Sequence, residues 1–137
     1  MPLHPRLVHF PVALLLVGSL LLLVSLRWPR NALRQSGWLN LLLGWVALFP
    51  AILTGLADQG ALPDTPTVEQ VLNRHITGGI ALLAIYGYVL YERLRAPHVL
   101  DTKARYRVGA LLLVGLVVLL ITGDLGGQLA YELLPRN

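Results

Sequence analysis

No cysteine occurs in this 137-residue chain. That excludes disulfides, thiolate metal sites and covalent attachment of a c-type haem. Charge is scarce as well: only 13% of residues are Asp, Glu, Lys or Arg, and acidic residues number seven. A small soluble domain needs polar surface to cover its core, and 55% hydrophobic residues with so little charge do not supply it. Two stretches, Leu7–Leu26 and Trp38–Ala57, contain no charged residue at all. Each approaches the roughly 20 residues a helix needs to cross a bilayer. Ile76–Tyr91 and Val108–Gly123 are shorter uncharged runs that extend through polar residues at their ends.

Four transmembrane helices in one integral membrane domain are therefore expected, at about 6–27, 37–58, 66–94 and 105–133, forming an all-α up-down bundle. The first run is too long for a signal peptide, lacks a small-residue cleavage site and is followed by Arg27 and Arg30, so it is expected to be retained. Pro11 falls in the first turns of its helix, Pro50 is placed to kink the second, and Thr65-Pro66 reads as an N-cap followed by proline at the first helical position. Along the third helix, Val68, Leu72, His75 and Gly79 form one stripe.

The positive balance follows topology rather than nucleic acid. Arg27, Arg30, Arg34, Arg93, Arg95, Lys103, Arg105 and Arg107 all fall on one side of such a bundle, while the other side has Arg6, Arg74 and Arg136. The positive-inside rule then predicts a multi-pass membrane protein with both termini outside the cytoplasm, and the eight clustered cations read as lipid-headgroup contacts. His98, after Pro97, reads as solvated, and the tryptophans and tyrosines as interface belts or packing.

Polar residues gather at the outer end. There the topology collects His4, His9 and His75 with Thr54, Asp58, Thr122, Asp124, Gln128 and Tyr131. Ionisable groups at membrane depth are expensive and generally face the bundle interior or a partner. An internal repeat is also visible: His9 precedes Thr54-Gly55 by 45 positions, and His75 precedes Thr122-Gly123 by 47. Two repeated hairpins would place His9 and His75 on diagonal helices, able to approach opposite faces of one flat macrocycle. Gly78 and Gly79 beside His75 leave room for a ring, and Arg6 and Arg74 suit its propionates. This predicts a haem b with His9 and His75 as ligands, His4 as a spare ligand or neighbour, and Asp58, Asp124, Thr54, Thr122 and Gln128 around them.

Competing expectations stand beside it. His4, His9 and His75 with Asp58 or Asp124 suit zinc, copper or non-haem iron by ligand type. The same cluster, with the Gly123-x-x-x-Gly127 motif, suits helix association in a homo-oligomer, or in a non-catalytic subunit or assembly factor of a larger membrane complex without any cofactor. Transport through Asp124 is the weakest reading, because no polar set continues into the cytoplasmic half. An electron carrier or binding protein is expected rather than an enzyme.

The opening "HPRLVHFPVALLL", the histidine at 75 and the closing "TGDLGGQLAYE" together resemble a bacterial membrane family catalogued only as domain of unknown function 2231. The resemblance spans essentially the whole chain, its pattern falling on His4, Pro5, His9, Pro11, His75, Thr122, Gly123, Gly126 and Gly127. It implies a four-helix integral membrane protein. Some members are joined to Rieske or cytochrome c domains, which implies electron transfer with a quinone or a periplasmic redox protein. The present chain lacks such a domain, so its electron partner would be a separate molecule.

Overall fold

A computed structural model describes residues 4–95 and 101–132; His98, Arg136 and the final residue expected in the fourth helix lie outside that range. The described residues are helical, with no strand among them.

The first helix comes in two pieces, α1 (His4–Leu7) and α2 (His9–Arg27), separated by a turn at Val8. Pro11 has no N–H to give the Leu7 carbonyl, and the break falls at that missing bond. The helix starts two residues before the expected position because Pro5 occupies its first turn, where an absent N–H is harmless. Trp28, held extended before Pro29, ends α2. The second helix, α3 (Asn31–Asp58), begins six residues before the expected 37 and runs through Pro50. The Thr54 hydroxyl donates to the carbonyls of Pro50 and Ala51 within that helix. A 3-10 turn, Gln59–Ala61, follows.

Helix α4 (Pro66–Arg95) starts as the sequence predicts, with the Thr65 hydroxyl accepting from the Val68 N–H at 3.3 Å. Helix α5 (Thr102–Gly127) begins three residues before the expected 105, capped by Asp101, whose carboxylate accepts from the Ala104 N–H at 2.7 Å. A π-helical turn, Gln128–Glu132, continues it.

Neighbouring helices run antiparallel: α2 packs along α3 and α4 along α5, while α2–α5 and α3–α4 contacts close the bundle, leaving α2 and α4 diagonal. Leu15, Leu41, Leu48, Leu112 and Leu119 fill the centre. Side chains such as Leu53, Leu120 and Val117 point outward and stay more than half exposed. A chain that leaves so much apolar surface uncovered is suited to lipid rather than water. By length and composition, His4–Arg27, Asn31–Ala61 and Thr102–Tyr131 can each cross a membrane. Helix α4 is not among these three, because its uncharged run contains three tyrosines and three glycines.

The two hairpins repeat with a constant step of 71 positions. Helices α3 and α5 start at 31 and 102, and buried Leu41, Gly44 and Leu48 recur as Leu112, Gly115 and Leu119. Close approaches recur too, with Gly44 against Leu15 and Gly115 against Tyr86. The register differs from the one expected through His9: on this step, the mate of His75 is His4.

Polar contacts also lie away from the outer end. Across the diagonal, the Ser19 hydroxyl donates to the Tyr86 hydroxyl at 3.0 Å, both residues fully buried. The Trp45 indole N–H donates to the Leu83 carbonyl at 2.9 Å. Tyr86 and Trp45 are thus inter-helix ties rather than interface belts. At the opposite end, Arg107 pairs with Glu92 at 2.8 Å and Arg105 donates to the Leu26 carbonyl at 2.8 Å. Those two arginines, expected as headgroup contacts, instead join helices.

Candidate functional site

At the outer end, α1 enters the bundle and lays the His4 ring against α3. The Nδ1 of His4 lies 2.7 Å from the Ala51 carbonyl oxygen, and the ring packs over Gly55, where a Cβ would stand 3.0 Å from it. On α4, His75 does the same to α5: its Nδ1 lies 2.9 Å from the Thr122 carbonyl oxygen, and a Cβ on Gly126 would stand 2.9 Å from the ring. The steps from 4 to 75, 51 to 122 and 55 to 126 are all 71. Both glycines are needed because the imidazoles occupy the space of a side chain.

A carbonyl oxygen only accepts, so Nδ1 is the protonated nitrogen in both rings. Each neutral imidazole therefore keeps the lone pair on Nε2. Metal-binding histidines are commonly prepared in this way, by a carbonyl or carboxylate that fixes the tautomer and the ring. The two half-buried rings meet in a T-shaped, edge-on arrangement, centres 5.9 Å apart and planes at 84°.

The residues expected around the histidines divide. Asp58 accepts from the backbone N–H of His4 at 2.9 Å, so it fixes the start of α1 and not the ring. Thr54 bonds within its own helix. Asp124 is exposed and accepts from Gln128 at 2.9 Å, on the outer face of α5. Backbone carbonyls hold the imidazoles instead. Arg6, Arg74 and His9 are all exposed at this end. Gly78 is packed against the Thr122 side chain, whereas Gly79 faces open space.

Two cavities meet at the histidine pair. The first, about 230 Å³, opens under the 59–62 connection and is walled by Ile52, Leu56, Leu72, Ile76 and Gly79. The second, about 220 Å³, reaches past Val12, Leu48, Leu82 and Leu119 and has His9 at its edge. Gly123 and Gly127 line this second cavity with nothing within 4 Å of their Cβ positions, so the expected association motif packs no helix among the described residues. The hydroxyl of Thr122, a residue only 6% exposed, has no hydrogen-bond partner among the described residues.

No group of three or more His, Asp or Glu side chains converges among the described residues, so the expected zinc, copper or non-haem iron site is not assembled. Sequence reasoning missed Ala51, since a backbone acceptor has no side-chain signal. Ser19, Tyr86 and Glu92 were missed because single polar residues in apolar runs do not declare their partners.

No curated protein and no solved structure matches the chain. The family model described as predicted membrane protein, DUF2231, matches residues 1–134, and the chain therefore belongs to that family.

Proposed function

We propose that this protein crosses the bacterial inner membrane four times, with both termini periplasmic, and carries electrons through a haem b held by His4 and His75 near the outer face. The fourth crossing is α4, which packs antiparallel against α3 and α5 and so shares their slab. The basic residues grouped at the opposite end support the orientation. Because the chain has no cysteine, a single thiol introduced at Lys103 or at Asp64 reports it directly. The first is expected to react with a membrane-impermeant reagent only after the cells are opened, the second in intact spheroplasts.

The observation that carries the haem reading is the pair of carbonyl-tethered imidazoles at 5.9 Å. Two imidazoles on one metal, with bonds of about 2.0–2.1 Å, put their ring centres roughly 6 Å apart. The flanking apolar cavities, taken together, fall in the roughly 300–1,000 Å³ range of cofactor pockets. A haem bound through two imidazoles supplies reversible one-electron chemistry. The protein's part is to fix the rings through Ala51 and Thr122 and to keep water out with Ile52, Leu72, Ile76 and Leu129.

The test is the visible spectrum of purified protein, oxidised and reduced. A Soret band is expected, lost or changed in ligation in His4→Ala and in His75→Ala, and retained in His9→Ala. Absence of the band after expression with adequate haem, and again after reconstitution, overturns the reading. A colourless protein that co-purifies with stoichiometric partners would favour a non-catalytic subunit instead.

A further inference from the structure

The two imidazoles are mounted differently. His75 lies within α4, which runs unbroken from Pro66 to Arg95, whereas His4 lies on α1, a four-residue piece separated from α2 at Val8. The step of 71 positions shows what differs. Pro11, whose missing N–H breaks the first helix, corresponds to Leu82, which has one to give. Asp58, which accepts from the His4 N–H at 2.9 Å, corresponds to Leu129, whose side chain accepts nothing. The first hairpin therefore has a break in its histidine helix and a hydrogen bond holding the broken piece, and the second has neither.

Helix α1 is lightly seated. None of its four residues is buried, and Arg6 and Leu7 are exposed. Two hydrogen bonds made by His4 tie it to α3, one to the Asp58 carboxylate and one to the Ala51 carbonyl. Segments that bury so little open locally at a small fraction of the global stability. Yet α1 covers the site, because His4 and Pro5 line both cavities. Moving it outward joins the two cavities and uncovers the His75 ring, which stays on its continuous helix.

We propose that α1 is a hinged flap that admits a ligand to the His4–His75 site, turning at the break made by Pro11 and caught shut by Asp58. His75 is the fixed imidazole, and His4 swings in as the second. Asp58 is a positioning residue, acting on the imidazole through the His4 backbone. The flap deepens the reading of the two histidines as a haem site and takes its purpose from that reading, but the motion itself belongs to the empty protein.

The experiment uses the full chain in detergent with Leu129→Cys, which puts a single thiol in the wall of the first cavity. Without haem, the rate of alkylation by N-ethylmaleimide reports opening; with haem, the rate of haem loss to excess apomyoglobin reports it again. Asp58→Leu, which keeps bulk and removes the acceptor, should speed both rates about tenfold, the order of one net hydrogen bond. Asp58→Asn, whose amide oxygen still accepts, should restore the parent rates. Pro11→Ala supplies the missing N–H and should slow both, whereas a merely destabilising change would speed them. Circular dichroism confirms that each variant is folded. Alkylation no faster in Asp58→Leu than in the parent, or no slower in Pro11→Ala, overturns the proposal. The expected alkylation pattern in a protein that never shows a Soret band would sustain the flap and defeat the haem reading. A normal Soret band with alkylation and haem loss unchanged in both variants would do the opposite.

Discussion

The ring of His4 stands across from the ring of His75, centres 5.9 Å apart and planes nearly perpendicular, with one imidazole supplied by each half of the chain. Neither ring is held by a side chain. The Ala51 and Thr122 carbonyls take the Nδ1 hydrogens, an arrangement that survives most substitutions because it depends on helix backbone.

That geometry sets the tautomers. In haem-free protein labelled with ¹⁵N-histidine, the neutral rings of His4 and His75 are expected to carry hydrogen on Nδ1, opposite to the Nε2–H form favoured in water. Nitrogen chemical shifts, assigned with the His9→Gln and His98→Gln variants, decide it. Nε2–H tautomers at both positions would contradict the tethers.

Glycine substitutions at this end should separate sharply. A methyl at Gly126 would meet His75 at 2.9 Å, so Gly126→Ala must displace the ring and should destabilise the protein by about 1–3 kcal/mol. Gly79, with nothing within 4 Å, should accept alanine with a gain of up to ~1 kcal/mol from helix propensity. Thermal melts in a mild detergent would show it, and equal effects at the two sites would refute the packing argument.

The Ser19–Tyr86 bond crosses the diagonal in the driest part of the bundle. Removing one hydroxyl strands the other, so Tyr86→Phe and Ser19→Ala should each lower stability by about 1–3 kcal/mol. The double variant should lose less than the sum of the two, and a double-mutant cycle measures the difference. Strict additivity would mean the bond is absent.

At the other end, Glu92 has a side chain only 4% exposed while that of Arg107 is 48% exposed. Arg107→Ala removes the ion-pair partner of a buried carboxylate, leaving it the Tyr88 hydroxyl and the more distant Arg95, and should lower the melting temperature. Glu92→Gln in the same background should recover part of the loss, since an amide tolerates burial better than a charge. No recovery would show that Arg107 acts through packing of its stem rather than through Glu92.

The helices were largely legible in the sequence because uncharged runs and Thr65-Pro66 are local signals, while the starts marked by Pro5 and Asp101 were placed two and three residues late. The site was half legible. The sequence pairs His9 with His75, whereas the structure sets His4 across from His75 and leaves His9 exposed. The difference is one of register: a shift of a few residues along a helix preserves the apolar pattern. Thr54-Gly55 was therefore matched to Thr122-Gly123, where the structure matches Ala51 to Thr122 and Gly55 to Gly126. The helix starts at His4 itself, its N–H held by Asp58, 54 positions away. That contact has no local trace. Thr54, Asp124 and Gln128 carried plausible chemistry, but their partners lie within their own helices.

The step of 71 gives each hairpin one imidazole, one carbonyl tether and one glycine recess, so neither half holds a whole site and the site exists only at the seam. Anything bound there acts as a latch between the halves. By mass action, a ligand at a thousand times its dissociation constant adds about 4 kcal/mol to their cohesion. In a cell, the filled and empty forms would then differ in lifetime as well as chemistry, and a protease probing the seam would remove the empty one first.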